Sequence, residues 1–216
     1  MADYSSLPET LIQRYRGWHA TQFQDSRARA AQLVTDGQHP SAMVISCCDS
    51  RINVLSMFGA DMGEFFVHRN VANLVPPYEP TGKYQGTCAA LEYAVTALQV
   101  ASIIILGHSQ CGGVKGCYDM CSSSDGGAAH EDSFVEQWVD ILRPGYETVA
   151  KNSETDPLTA LEHQGIRLSL ENLMTFPFVR ERVEAGTLTL HGLWYDLRSG
   201  TLEMLNPATD KFELLT

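Results

Sequence analysis

Two short apolar runs each end on residues with ligand chemistry, and this pattern constrains the chain more than any other feature. "AMVI" runs into Ser46-Cys47-Cys48-Asp49-Ser50-Arg51, and "IIIL" runs into Gly107-His108-Ser109-Gln110-Cys111-Gly112-Gly113. Apolar runs of this length, bounded by turn residues, read as buried strands. Buried strands separated by helical segments predict an α/β fold with a mainly parallel β-sheet flanked by helices. In such sheets ligands bind beyond the carboxyl ends of the strands. Cys47 and His108 both fall where that rule places a site.

The remaining pattern fills in the architecture. Ser6-Leu7-Pro8-Glu9 has the form of a capping box, with proline in the first turn. Leu11, Ile12, Tyr15 and Trp18 then recur at helical spacing, which predicts a long N-terminal helical arm, broken in two, reaching about Leu33. Strands are expected at Ala42–Ser46, Phe65–His68 and Ile103–Leu106. Helices are expected over Gly86–Leu98, Phe134–Leu142 and Leu158–Leu173, with a surface loop over Ser122–Asp132. The last segment, "TLTLHGLWYDLRSGTLEML", alternates around Arg198-Ser199-Gly200 as a C-terminal antiparallel hairpin would. No internal repeat or domain boundary is visible, so residues 1–216 are expected to form a single domain.

Acidic residues outnumber basic ones, 26 to 15, for a formal charge of −11. That balance argues against nucleic acid or an anionic membrane as partner. No apolar stretch approaches the roughly 20 residues of a membrane span. "MADYSSLPET" lacks the basic start and apolar core of a secretory signal, so a cytoplasmic location is expected. In a reducing compartment six cysteines are expected to be metal ligands or buried thiols, not disulfides.

Cys47, His108 and Cys111 together offer two thiols and an imidazole, a set suited to Zn²⁺. Three protein ligands leave a fourth tetrahedral position for water, as in catalytic zinc sites. A core histidine and a buried thiol would satisfy the H-x-x-C spacing equally well. Asp49 and Arg51 could be a solvated surface pair of little energetic weight. Beside a metal, arginine can hold the carboxylate in a fixed orientation through charge-assisted hydrogen bonds.

These residues resemble the motifs of the β-class carbonic anhydrases, most closely the plant-type branch. "CCDSR" resembles the family's C-x-D-S-R motif, and "GHSQCGG" its H-x-x-C-G-G turn. "FVHRNVANLVPP" and "GTCAALEYAVTALQV" are similar to the segments between them. The similarity runs from about Gln38 to Gly116 and resumes in "LSLENLMTFPFVRE" and the last hairpin. It is weak over Ser122–Asp156.

The resemblance implies one Zn²⁺ per chain, held by Cys47, His108 and Cys111. It implies reversible hydration of CO₂ to bicarbonate and a proton by zinc-bound hydroxide, with Asp49 orienting the nucleophile and Arg51 orienting Asp49. Gln38, nine residues before the first ligand, would line the substrate pocket with Phe66 and Tyr93. Gly112 and Gly113 would let the chain turn sharply at the metal and expose backbone N–H groups. Some members carry tryptophan three residues before the first cysteine; Val44 stands there, so Asp49 is expected on Arg51 and not on the metal. Family members are homodimers or multiples of dimers, with pocket residues from both chains. Cys48, Cys88, Cys117 and Cys121 are expected to be buried structural thiols, and His68 a hydrogen-bonded structural residue. Rival readings are hydrolysis of carbonyl sulfide or carbon disulfide on the same scaffold, a zinc protein without catalysis, and a redox dithiol protein.

Overall fold

A computed structural model describes residues 5–82, 85–123, 127–152 and 154–215. They form two compact units, Met1–His39 and Pro40–Thr216. The first contains helices α1 (Glu9–Ala20) and α2 (Gln22–Asp36), separated at Thr21, where φ is −122° and ψ −88°. The break expected in the N-terminal arm is therefore present. An aromatic clasp spans it: the Trp18 and Phe23 ring centroids lie 5.5 Å apart, and His19 stacks on Phe23 at 5.1 Å. The capping box does not form. Pro8 is the N-cap residue and no side chain caps α1, because the helix starts at Glu9 and leaves Ser6 upstream of its free N–H groups.

The second unit runs β1 (Ala42–Cys47), α3 (Val54–Met57), β2 (Phe65–Asn70), α4 (Gly86–Glu92), β3 (Ser102–His108), α5 (Gly112–Cys121), α6 (Phe134–Val139), α7 (Arg143–Asn152), α8 (Pro157–Leu173), α9 (Pro177–Glu184), β4 (Thr189–Tyr195), β5 (Leu202–Asn206) and β6 (Lys211–Leu214). Its sheet has the order β2-β1-β3-β4-β5-β6. β1 pairs parallel with β2 and β3, and β3 parallel with β4; β4, β5 and β6 are antiparallel. The expected α/β sheet is thus observed. The terminal hairpin carries a third strand, β6, and its first strand doubles as the fourth parallel strand.

Every residue of β1 is buried, as in a parallel strand covered on both faces. Met43 and Ile45, with Ile103 and Ile105 of β3, point into a layer containing Leu91, Ile166, Leu173 and Phe176. Val44 and Leu106 point the other way, toward Ile52, Val54 and Leu193. Helix starts follow local chemistry: Asp156 accepts from Thr159 N with Pro157 behind it, and Ser133 accepts from Glu136 N. α8 lies across β3 and β4. It can approach because Gly192 lacks a side chain; a Cβ there would sit 2.7 Å from Ile166 Cγ2. The segment Gly86–Leu98 is helical, but past α4 it widens into a π-helical turn, Tyr93–Ala97. No helix among the described residues is long and apolar enough to cross a membrane.

α8 also clamps the terminal strands through His163. Its ring stacks on Phe212 of β6 at 4.0 Å and meets Trp194 of β4 edge-on at 5.0 Å. Burial, with Arg167 nearby, pulls the His163 imidazole down from 6.5 to about 4. The folded state therefore binds this proton less readily than the unfolded chain, so the stabilisation is complete above pH 6.5 and is lost as pH falls toward 4. Lowering the pH from 7 to 5 should cost about 2 kcal/mol through this residue. Denaturant titrations at both pH values should show a correspondingly smaller loss in His163→Phe.

Candidate metal centre

β1 and β3 are parallel neighbours, with Ser46 opposite Leu106, so their carboxyl ends emerge side by side. Cys47 and His108 occupy those ends, and Cys111 follows in the turn into α5. All three are buried, and their ligand atoms lie within 4.8 Å of one another. The two Sγ atoms are 3.9 Å apart. His108 Nδ1 lies 2.9 Å from the Ser109 carbonyl. A carbonyl only accepts, so Nδ1 carries the proton and the neutral ring presents the Nε2 lone pair. That Nε2 is buried without a hydrogen-bond partner. An orphaned imidazole nitrogen facing two soft thiols matches the donor set of Zn²⁺, so the residues fit the metal.

The electrostatics of the protein groups agree. The hydrogen bond from Cys111 is the largest cause that pulls the Cys47 thiol down to about 4, and it pushes Cys111 up in return. Burial works to lower the His108 pKa, but the neighbouring Cys47 sulfur and the hydrogen bond to the Ser109 carbonyl outweigh that and raise it. Cys111 is the N-cap residue of α5, and the Val114 and Gly113 N–H groups at the start of that helix work to lower its thiol pKa, against the larger upward effects of Cys47 and burial.

Asp49 and Arg51 form a fork. Arg51 Nε donates to Asp49 Oδ1 at 2.9 Å and Nη2 to Oδ2 at 2.6 Å, while the Arg51 backbone N–H also reaches Oδ1 at 2.9 Å. Arg51's hydrogen bonds hold the Asp49 carboxyl well below the usual carboxylate range, against the effect of burial. Asp49 Oδ2 lies 4.0 Å from His108 Nε2. The Arg51 side chain is 48% exposed, so the pair adds little stability and its value is geometric. Val44 is wholly buried in the core layer beneath.

Sequence reasoning missed three supporting side chains. Arg69 Nε donates to the Cys47 carbonyl at 2.9 Å and Nη2 to the Asp49 carbonyl at 2.6 Å, tying β2 to the ligand-bearing loop. Ser109 Oγ donates to Asp196 Oδ1 and accepts from Leu197 N, both at 2.9 Å, anchoring the second loop to the β4–β5 turn. Glu162 accepts from Cys111 N at 3.1 Å. The arginine in "FVHRN" beside a strand end was a readable signal; Glu162 sits within a helical pattern and gave none.

Other expectations meet mixed outcomes. Phe66 and Tyr93 come together, with centroids 5.9 Å apart. Phe66 pairs with Met43, four residues before the Cys47–Asn70 pair, or ~13 Å along the strand from the thiol. Gln38 is an exposed residue of the N-terminal unit. The sharp turn falls on Gln110, whose φ is +56°, and not on Gly112 or Gly113; both glycines lie in the first turn of α5. Cys48 is exposed, not buried, because the chain leaves the sheet once Cys48 N has bonded Asn70 O. Cys117 is buried, Cys88 and Cys121 are half-buried, and all six cysteines are free. His68 bonds Thr87 Oγ1 at 3.0 Å, as a structural residue should. Residues 124–126 of the expected surface loop lie outside the described residues.

A mainly parallel α/β sheet carries, at the carboxyl ends of adjacent strands, a Cys-His-Cys cluster compatible with a bound zinc ion. The family model for carbonic anhydrase matches residues 42–202. Beta carbonic anhydrase 3 of Arabidopsis thaliana is 38% identical over 171 residues, covering 77% of this chain and 65% of the relative's length. The solved β-carbonic anhydrase CcaA superposes with a TM-score of 0.86 at 29% identity, covering 96% of this chain and 92% of that one. A tetrameric β-carbonic anhydrase of Sordaria macrospora gives 0.77 at 27% identity, covering 92% and 96%. The chain belongs to the carbonic anhydrase family, in its β class and plant-type branch.

The two glycines of the turn should respond differently to alanine. A Cβ at Gly113 would lie 2.7 Å from Val71 Cγ1 and 3.0 Å from Ala72 Cβ, whereas one at Gly112 meets nothing within 4 Å. Gly113→Ala should cost about 1–3 kcal/mol by overpacking. Gly112→Ala should leave the denaturation midpoint nearly unchanged.

Proposed function

We propose that the chain interconverts CO₂ and water with bicarbonate and a proton, using one Zn²⁺ held by Cys47, His108 and Cys111. The observation that carries this reading is the placement of Asp49 Oδ2 beside the orphaned His108 Nε2, with its carboxylate fixed by Arg51. When bound, zinc supplies a Lewis acid that lowers the pKa of water to about 7. The protein supplies orientation. Asp49 Oδ2 spends one lone pair on Arg51 Nη2 and keeps another, so it can accept a hydrogen bond from a nucleophilic water beside the ligand set and aim that water's own lone pair. As an ionised carboxylate Asp49 accepts and does not donate, which fixes the direction of that bond. Arg51 is held in turn by the Gln110 carbonyl at 3.1 Å.

Walls suited to a linear apolar substrate come, by family resemblance, from Gln38, Phe66 and Tyr93, with pocket residues from both chains of a dimer and with Gly112 and Gly113 beside the ligand cluster. The separation of Phe66 from Cys47 along β2 supports a homodimer or a multiple of dimers, and Tyr93 is 49% exposed and available to such a contact. A reducing, cytoplasmic setting suits a site that needs two thiols free.

Zinc content and stopped-flow CO₂ hydration test the reading together. Cys47→Ser should lose the metal. Asp49→Ala should retain one zinc per chain and lose about 100-fold or more of turnover. Parent protein that carries zinc but hydrates no CO₂, or an Asp49→Ala variant at full rate, would overturn the assignment.

A further inference from the structure

Glu162 is a buried carboxylate that the proposed chemistry does not use. It stands on α8 at 5% exposure, and taking a carboxylate out of water is costly unless its oxygens are well satisfied. Both are taken by N–H donors: Oε1 accepts from Cys111 N at 3.1 Å and Oε2 from Trp194 Nε1 at 3.0 Å.

The Cys111 N–H belongs to the same peptide group as the Gln110 carbonyl, and that carbonyl accepts from Arg51 Nη2 at 3.1 Å. One peptide is thus gripped from behind by Glu162 and from in front by the arginine that forks onto Asp49. Two further facts show that the grip is needed. Gln110 sits at φ +56°, a left-handed conformation that costs a non-glycine residue about 1–2 kcal/mol. A cavity of about 190 Å³ borders Gln110, Cys111 and Glu162, so close packing alone does not hold the peptide in place.

We propose that Glu162 is a positioning residue: by fixing the Gln110–Cys111 peptide it sets both the Cys111 thiol within the ligand cluster and the guanidinium that orients Asp49. The hydrogen bonds run without a gap from the Trp194 indole through Glu162, the peptide and Arg51 to Asp49. A donor bonded to a carboxylate polarises its peptide, which makes the Gln110 carbonyl a better acceptor for Arg51. Cys111 is the N-cap residue of α5, and its own N–H points back to Glu162. Rotation of the peptide would therefore shift the thiol and release Arg51 together. The effect on turnover rests on the carbonic anhydrase reading; the effect on the metal site does not.

The test is Glu162→Gln in the full chain, loaded with zinc or with cobalt(II). Glutamine keeps the shape but offers one oxygen to two N–H donors, so one donor is left facing an amide NH₂. The cobalt protein should keep its metal and show shifted thiolate-to-cobalt charge-transfer bands. Zinc should pass to a competing chelator about 10-fold faster. In the zinc protein kcat should fall about 10-fold with KM nearly unchanged. Cobalt bands, chelator release and kcat all within twofold of the parent overturn the proposal, including when the variant merely melts at lower temperature. Should Glu162→Gln fail to fold, Glu162→Asp carries the same readouts, since its shorter arm withdraws from Cys111 N; an unchanged cobalt spectrum there also overturns it. Shifted bands in a chain whose parent hydrates no CO₂ would sustain the positioning role and defeat only the functional reading.

Discussion

Parallel pairing of β1 with β3 is the constraint from which the site follows. A parallel pair sends both carboxyl ends to the same edge of the sheet, so Cys47 and His108, 61 positions apart in sequence numbering, emerge as neighbours. An antiparallel pairing of the same strands would put them at opposite edges. Burial on both faces fixes the register, because a slip of one residue would turn Met43 and Ile45 out of their layer and Val44 into it. The Cys-His-Cys cluster thus inherits its precision from the apolar side chains that fix the strand register. Arg69 and Ser109 then tie the two loops to flanking strands, which converts strand register into loop position.

Much of this is legible in the order of residues. The strands are short, apolar and bounded by turn residues, and the two reactive turns close two of them; those signals survive folding because they reflect burial. The ligand triad is legible for the same reason, since two thiols and an imidazole at the ends of buried strands suit a soft metal better than they suit core packing. What fails depends on competition between local options. Ser6 satisfies the pattern of a capping box, yet Pro8 sets the start of α1 two residues too late for it. Pleating predicts a buried Cys48, but the strand ends at Cys47 and the rule ends with it. α7 escapes a reading of the sequence because Pro144 and Gly145 look like breakers. In the fold Pro144 sits in the first turn, where a missing N–H costs nothing, and Gly145 is buried against Leu142 and Gln164.

The supporting shell is the least legible part. Glu162 lies one residue after Leu161 and one before His163 on a helix whose periodicity predicts only a buried face, and its partners are 51 and 32 positions away. No local rule distinguishes a carboxylate that will be buried against a backbone N–H from one that will face water. The π-helical turn at Tyr93 is similar: a single register change within a good helix pattern leaves no compositional trace.

Charge shows why local geometry outranks bulk composition here. The chain carries a formal charge of −11, which would disfavour any anionic ligand over the whole surface. Screening confines that effect to a Debye length of about 8 Å at physiological ionic strength, and beside the cluster two arginines are committed to fixed tasks. Arg69 is spent on the carbonyls of Cys47 and Asp49. Arg51 neutralises Asp49 and keeps nearly half of its side chain in solvent. The negative charge of that carboxylate is thus compensated at its own position, while its orientation is retained. An acidic protein can present a locally compensated surface because the field close to a cluster is set by a few fixed neighbours, and here the same arginine both compensates the Asp49 charge and fixes its carboxylate.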